Sequence, residues 1–420
     1  MAKVLEGQGE AEVTPSQTEA GWREPLLKGG GLREVRSIAR SRRRLAIATF
    51  VAVAGAVLAT TAGGPTASAG TVPGEPHRVG APPQGSARVT SRSFGAAFSP
   101  GQVVASDGHV WLVSSGNGNG AGCRIGLLSP GTMALTTYSL PACGTNVVAG
   151  TGAIFLEVPV ADVKSQTYAV HIERFSTSTH ASTVFGTVSA TMSLGSDIAH
   201  TQLAYADASL WLYAYQRGAP QVLQLSPSTG AVERRYSSVP EIGGTEPLIT
   251  GAQGYVWLAG GAGSGADFLR VDVSNGATRA FQLPGRYASV YDLAWASGRL
   301  FYLYLDYPAA SSPAGTALTS HVGRWSPSSG QPARSPSEGV GTWLVPLGTA
   351  LYSAGPSSSC TAASLTVWRV DEQTLRTSVV AHLRPPGNPC AGEGFRSVAA
   401  EGKSIFVLSG SALYRVTPAD

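Results

Sequence analysis

The side chains capable of acid–base, nucleophilic or metal chemistry are few and scattered. Seven histidines occur, His77, His109, His171, His180, His200, His321 and His382, and no two of them stand at metal-ligand spacing. No G-x-S-x-G elbow, Walker loop or HExxH segment is present, so no catalytic residue, metal ligand or cofactor is assigned. The glycine run from Gly116 to Gly122 precedes a strand-like segment, which leaves no helix N-terminus to hold a phosphate. His109 and His171 lie in or beside strand-like segments and read as structural. His200, in Gly195-Ser196-Asp197-Ile198-Ala199-His200, falls in a loop between repeats. Together with Asp197 it joins Glu241, Glu246, Arg286, Glu338 and Glu393 as the candidate ligand-binding set; Tyr291, Asp292 and Arg396 belong to the same class of segment. A histidine meeting two of these carboxylates would make a metal or acid–base centre. Dispersed, the same residues make a binding surface.

Four cysteines complete the reactive inventory, Cys123, Cys143, Cys360 and Cys390. Four allow three pairings, and without a C-x-x-C pattern disulfides are expected instead of a metal knuckle.

The elements that must position these residues repeat. An apolar–aromatic core follows a small polar turn seven times: Val110-Trp111-Leu112, Ile154-Phe155-Leu156, Leu210-Trp211-Leu212, Val256-Trp257-Leu258, Leu300-Phe301-Tyr302, Leu351-Tyr352-Ser353 and Ile405-Phe406-Val407. The aromatic positions are 44, 56, 46, 44, 51 and 54 residues apart. A second element reads apolar-x-Arg-apolar with Ser, Asp or Thr next, as in Ile172-Glu173-Arg174-Phe175-Ser176 and Val367-Trp368-Arg369-Val370-Asp371. The arginines at 174, 270, 324, 369 and 415 recur at one position of the unit, which assigns them to packing or to bonds between units. A Pro/Gly turn and a β-branched segment follow, and an apolar segment precedes each core. Each unit is therefore four short strands. A lone four-stranded sheet of that size cannot bury both faces, whereas radial repetition lets each sheet cover the next. The expected fold is all-β, a seven-bladed β-propeller of four-stranded antiparallel blades over residues 88–420.

Both chain ends bear on this expectation. Unit seven stops at Asp420 just after Leu413-Tyr414-Arg415-Val416, one strand short. The extended segment Ala87 to Phe94 is predicted to supply that strand, bringing Val89 near Tyr414. Cys123 and Cys143 flank the third and fourth strands of unit one, and Cys360 and Cys390 do so in unit six, so each pair returns to one end of its sheet. Cys123–Cys143 and Cys360–Cys390 are the expected bridges.

The unit resembles the blades of bacterial seven-bladed propellers of the virginiamycin B lyase and NHL-type group. That resemblance implies the fold; the lyases among such proteins are metal-dependent, with a histidine and glutamates on one face of the ring. The positions after the aromatic core that commonly carry an acidic residue there hold Val113-Ser114-Ser115, Tyr213-Ala214 and Ala259-Gly260, so no catalytic residue is carried over.

Composition sets the surroundings. The chain has 420 residues, 52 of them Gly and 27 Pro, which fits a turn-rich fold. Of 30 basic and 26 acidic residues, 9 and 6 lie in residues 1–69, leaving a nearly neutral body without the basic face of a nucleic-acid binder. Residues 1–44 form a polar leader, expected to be cytoplasmic and disordered, that ends in Arg42-Arg43-Arg44. Residues 45–62 are an uncharged apolar stretch that spans roughly 27 Å as a helix. Residues 63–87 read as a flexible linker. Arginines on the N-terminal side place the body outside the cytoplasm, at the cell membrane on a single-pass helix or secreted after cleavage at Ala67-Ser68-Ala69. Ser41 to Leu45 also resembles a twin-arginine export signal. The expected role is a binding or scaffold module at the cell envelope for a protein, peptide or glycan. The alternative is an exported lyase- or hydrolase-type enzyme.

Overall fold

The structure, a computed structural model, describes residues 87–95, 98–114, 122–162, 167–190, 201–216, 219–237, 239–240, 242, 248–260, 267–283, 289–306, 319–325, 332–334, 340–356, 364–386 and 395–419. The leader, the apolar stretch, nearly all of the linker, and Cys360 and Cys390 lie outside these residues. Among the described residues no helix is long and apolar enough to cross a membrane.

Within the described residues, twenty-eight strands pair into seven four-stranded antiparallel sheets. The first strand, β1 (Arg88–Ser93), belongs to the last blade. Blade one is β2 (Pro100–Ser106), β3 (His109–Ser114), β4 (Arg124–Leu128) and β5 (Leu135–Ser139). Blade two is β6 (Asn146–Gly150), β7 (Ala153–Asp162), β8 (Thr167–Ser176) and β9 (Ser182–Ala190). Blade three is β10 (Gln202–Ala206), β11 (Ser209–Gln216), β12 (Ala219–Leu225) and β13 (Val232–Tyr236). Blade four is β14 (Leu248–Ala252), β15 (Tyr255–Ala259), β16 (Phe268–Asp272) and β17 (Thr278–Phe281). Blade five is β18 (Ser289–Ala296), β19 (Arg299–Asp306), β20 (Thr319–Trp325) and β21 (Pro332–Arg334). Blade six is β22 (Trp343–Leu347), β23 (Ala350–Pro356), β24 (Leu365–Val370) and β25 (Thr377–Leu383). Blade seven is β26 (Phe395–Glu401), β27 (Ser404–Ser409), β28 (Ala412–Thr417) and β1.

The first strands of successive blades adjoin one another around a complete circuit, β26 meeting β2, and so line the central channel. Each second strand is sandwiched by both neighbouring sheets. This is why the sequence shows an unbroken apolar run there instead of alternation: Val110, Trp111, Leu112 and Val113 are all buried. The core is divided among seven apolar clusters, each shared by two adjacent blades. Seven seams for seven blades is the count of a closed ring; an open arc would have six. The repeated aromatic fills the seam: Trp111 meets Phe175 of blade two edge-on at 5.5 Å, and Trp257 meets Trp325 of blade five at 6.1 Å.

The ends of the chain close the ring as the sequence predicts. β1 pairs antiparallel with β28, Val89 facing Val416 and Ser91 facing Tyr414. The Cys123–Cys143 bridge is present in blade one with a Cα separation of 5.1 Å.

Turn chemistry explains the conserved-looking punctuation of the repeat. Between first and second strands, Asp107-Gly108, Gln253-Gly254 and Ser297-Gly298 have both residues at positive φ, the geometry that matches strand twist in a two-residue hairpin. Between third and fourth strands, Ser129, Ser176, Ser226, Asp272 and Asp371 each donate a backbone N–H five residues ahead and accept one from four residues ahead, as in Ser226 N to Ala231 O at 2.9 Å and Gly230 N to Ser226 O at 2.9 Å. The Ser or Asp side chain caps the same turn: Asp371 Oδ1 accepts from Thr374 N at 2.6 Å. Two of the recurrent arginines fasten such turns to the preceding blade, while Arg270 packs over Tyr255 and Trp257 of its own blade. Arg324 Nη1 donates to Glu372 O at 2.6 Å and Gln373 O at 3.0 Å, and Arg415 Nη1 donates to Pro130 O at 2.5 Å across the ring closure.

Candidate functional site

At the start of each first strand, one position faces the residue two after the repeated aromatic. Around the ring these positions hold Gln102, Asn146, Gln202, Leu248, Asp292, Trp343 and Ser397. Four of the polar side chains are used to stitch one blade to the next. Ser397 Oγ accepts from Val103 N at 3.0 Å and donates to Val103 O at 3.1 Å. Gln102 Nε2 donates to Thr145 O at 3.0 Å, and Asn146 Nδ2 donates to Leu203 O at 3.1 Å. Asp292 also stitches, its carboxylate accepting from Leu344 N at 2.6 Å and from Leu293 N at 2.9 Å. Burial pushes the Asp292 carboxyl up to about 7 against those two bonds.

Glu157 belongs to the same tier, facing Asn146 on the paired strand. It is 2% exposed, accepts from the Thr201 hydroxyl on the chain leading into blade three, and has no partner for Oε2. Burial raises its carboxyl to about 7, opposed by side-chain hydrogen bonds from Thr201 and Asn146. Sequence reasoning missed it, although the signal existed. The positions two after the aromatic are Val113, Glu157, Tyr213, Ala259, Leu303, Ala354 and Leu408, so the one carboxylate sits in unit two, and a comparison limited to units one, three and four passes over it.

Asp197, His200, Glu241, Glu246, Arg286, Glu338 and Glu393 all lie outside the described residues. Tyr291 packs beside the seam of blades five and six, and Arg396 falls within β26.

A cavity of about 430 Å³ opens at the opposite end of the first strands, where the hairpins to the second strands cluster. Four consecutive blades line it: Tyr205 and Asp207 of blade three, Thr250 and Gln253 of blade four, Trp295 of blade five and Pro346 of blade six, over a floor of small residues including Ala206, Gly251, Ala252 and Ala294. The small residues make the space. A Cβ on Gly251 would come within 3.0 Å of the Ala206 Cβ. Tyr205 is held from behind, its ring stacked on Phe155 at 6.0 Å and lying where a Cβ on Gly150 would meet it at 2.8 Å. Its hydroxyl donates to Thr151 Oγ1 at 3.4 Å. Asp207 Oδ2 accepts from Gly254 N at 3.4 Å, tying the hairpin of blade three to that of blade four. The same device joins blades one and two, where Asp107 Oδ2 accepts from Gly152 N at 2.8 Å. The lining thus combines two aromatic residues, a glutamine, a threonine and an aspartate with the apolar Leu293, Leu344 and Pro346. Among the described residues no three His, Cys, Asp or Glu side chains cluster as a metal site.

No family model matches the chain, and no curated protein matches it. Among solved structures it is similar to the β-propeller domain of the Trilobed protease from Pyrococcus furiosus, described as having an open velcro topology, at 10% identity and a TM-score of 0.46, over 75% of this chain and 92% of that one.

Proposed function

We propose that the chain is an extracytoplasmic binding module, held at the cell envelope by residues 45–62 or released after Ala69, whose ligand enters the channel at the hairpin end. The observation that carries this reading is the cavity built by four successive first strands, with rigid aromatic and hydrogen-bonding walls and a single carboxylate already engaged by a backbone N–H. Such a wall orients a ligand; acid–base chemistry needs a second titrating group beside the first. Native mass spectrometry of the chain isolated from its own envelope tests this. A small molecule is expected to ride with the wild type and to be absent from Thr250→Trp, which fills the cavity. Retention by a folded Thr250→Trp protein would move the site elsewhere. Protease added to intact cells is expected to digest the body while a reporter fused before residue 44 survives.

An exported enzyme of lyase or hydrolase type is the second reading, and Glu157 favours it, as a buried carboxyl raised to about 7 is poised to exchange protons near neutrality. It would work at the other end of the channel. Turnover abolished by Glu157→Gln but untouched by Thr250→Trp would support it.

A further inference from the structure

Resting on the hairpin-end cavity as the binding site, we infer that its ligand is an uncharged carbohydrate of one or two sugar rings. A pyranose presents two apolar C–H faces and a rim of hydroxyls, so a site for it needs flat rings set beside neutral donors and acceptors. The cavity has that arrangement. Tyr205 on blade three and Trp295 on blade five stand on either side of blade four, which contributes the Thr250 hydroxyl and the Gln253 amide between them.

Three features set this ligand apart from others. The Tyr205 ring is immobilised by Phe155, Gly150 and Thr151, so stacking on it costs little ordering entropy. Among the described lining residues there is no Lys, Arg or His to serve an anionic ligand as counter-charge, and their carboxylate, Asp207, already accepts from Gly254 N. Leu293, Leu344 and Pro346 add apolar surface to the lining, against which the C–H faces of a sugar ring can rest. At about 430 Å³ the cavity lies in the lower part of the ~300–1,000 Å³ range of small-ligand sites, the scale of a mono- or disaccharide.

The test is titration of residues 1–420 with an array of neutral mono- and disaccharides, alongside neutral and cationic tripeptides, at low and high salt. Saturable binding of at least one neutral sugar is expected, insensitive to salt because no ion pair is made. Trp295→Leu, which keeps apolar volume but removes the ring face, and Gln253→Ala, on an exposed turn, should each weaken it about tenfold, the scale of one lost contact. Thermal melts of both variants separate loss of contact from loss of fold. Failure of every sugar to bind, or sugar binding that survives both substitutions, overturns the inference. Tripeptide binding that Thr250→Trp abolishes would overturn the sugar while leaving the cavity as the binding site. Absence of any ligand change in Thr250→Trp would remove both.

Discussion

Ala208 occupies the second place of the blade-three hairpin at φ +54°, where the matching places in blades one, two, four and five are Gly108, Gly152, Gly254 and Gly298. An L-residue pays a steric cost in that region that glycine does not. Ala208→Gly is therefore expected to raise stability by ~0.5–1 kcal/mol in urea unfolding, partly offset by the freer unfolded chain. Glu157 gives a prediction in pH. Burial raises its folded carboxyl from the ordinary 4.5 to about 7, so the folded chain holds the proton more tightly than the unfolded one. The stability it contributes is fully present below about pH 4.5 and is lost as pH rises to about 7, by roughly 3 kcal/mol. The groups that face it, Asn146 and Thr201, are uncharged and do not cancel the slope. Glu157→Gln should flatten the stability profile over that window and melt higher than wild type at pH 8; parallel profiles for the two proteins would remove Glu157 as the titrating group.

Within single blades, the turns between third and fourth strands are where sequence and packing meet most directly. The Ser or Asp after apolar-x-Arg-apolar caps its own turn, and in blades one and six an arginine of the preceding blade binds the turn's outward carbonyls. Arg324→Ala removes two such bonds to Glu372 and Gln373 and is expected to cost ~1–3 kcal/mol, measured by denaturant titration. An unchanged midpoint would reassign Arg324 to the solvent. The Cys123–Cys143 bridge closes a 20-residue separation, and Cys123→Ser should cost ~3 kcal/mol without changing oligomeric state. This level was legible in the sequence because strand period, turn residues and cap residues are local properties, repeated seven times. Partners of buried polar groups were not legible: Asp292 reads as a loop carboxylate until Leu344, 52 residues on, is seen donating to it. Glu157 was hidden for the converse reason, since a single acidic residue in one unit is averaged away when units are compared for likeness.

For the ring as a whole, the seventh seam is the test of closure. Deleting residues 1–93 removes β1 and leaves blade seven with three strands and a bare edge along Ala412–Thr417. A loss of several kcal/mol and a tendency to associate are expected, and hydrogen exchange should find the amides of β28 among the most weakened. Equal stability of the truncated protein would mean that the β1–β28 pairing is decorative. The count of blades and the closing strand could be read from sequence because seven aromatic cores and one missing strand leave little choice. The position of the cavity could not. It depends on which of two ends of the same seven strands has the smaller side chains, and Gly251, Ala252 and Ala294 carry no signature until they are seen to converge.

Among the described strands, the first in chain order docks against the last. Until Ala412–Thr417 has been made, β1 lacks its pairing partner, so Arg88–Ser93 waits while the six intervening blades are synthesised. Blade seven gains its fourth strand only when β1 meets β28, and a chain cut short before β28 leaves the edge of β1 without that partner.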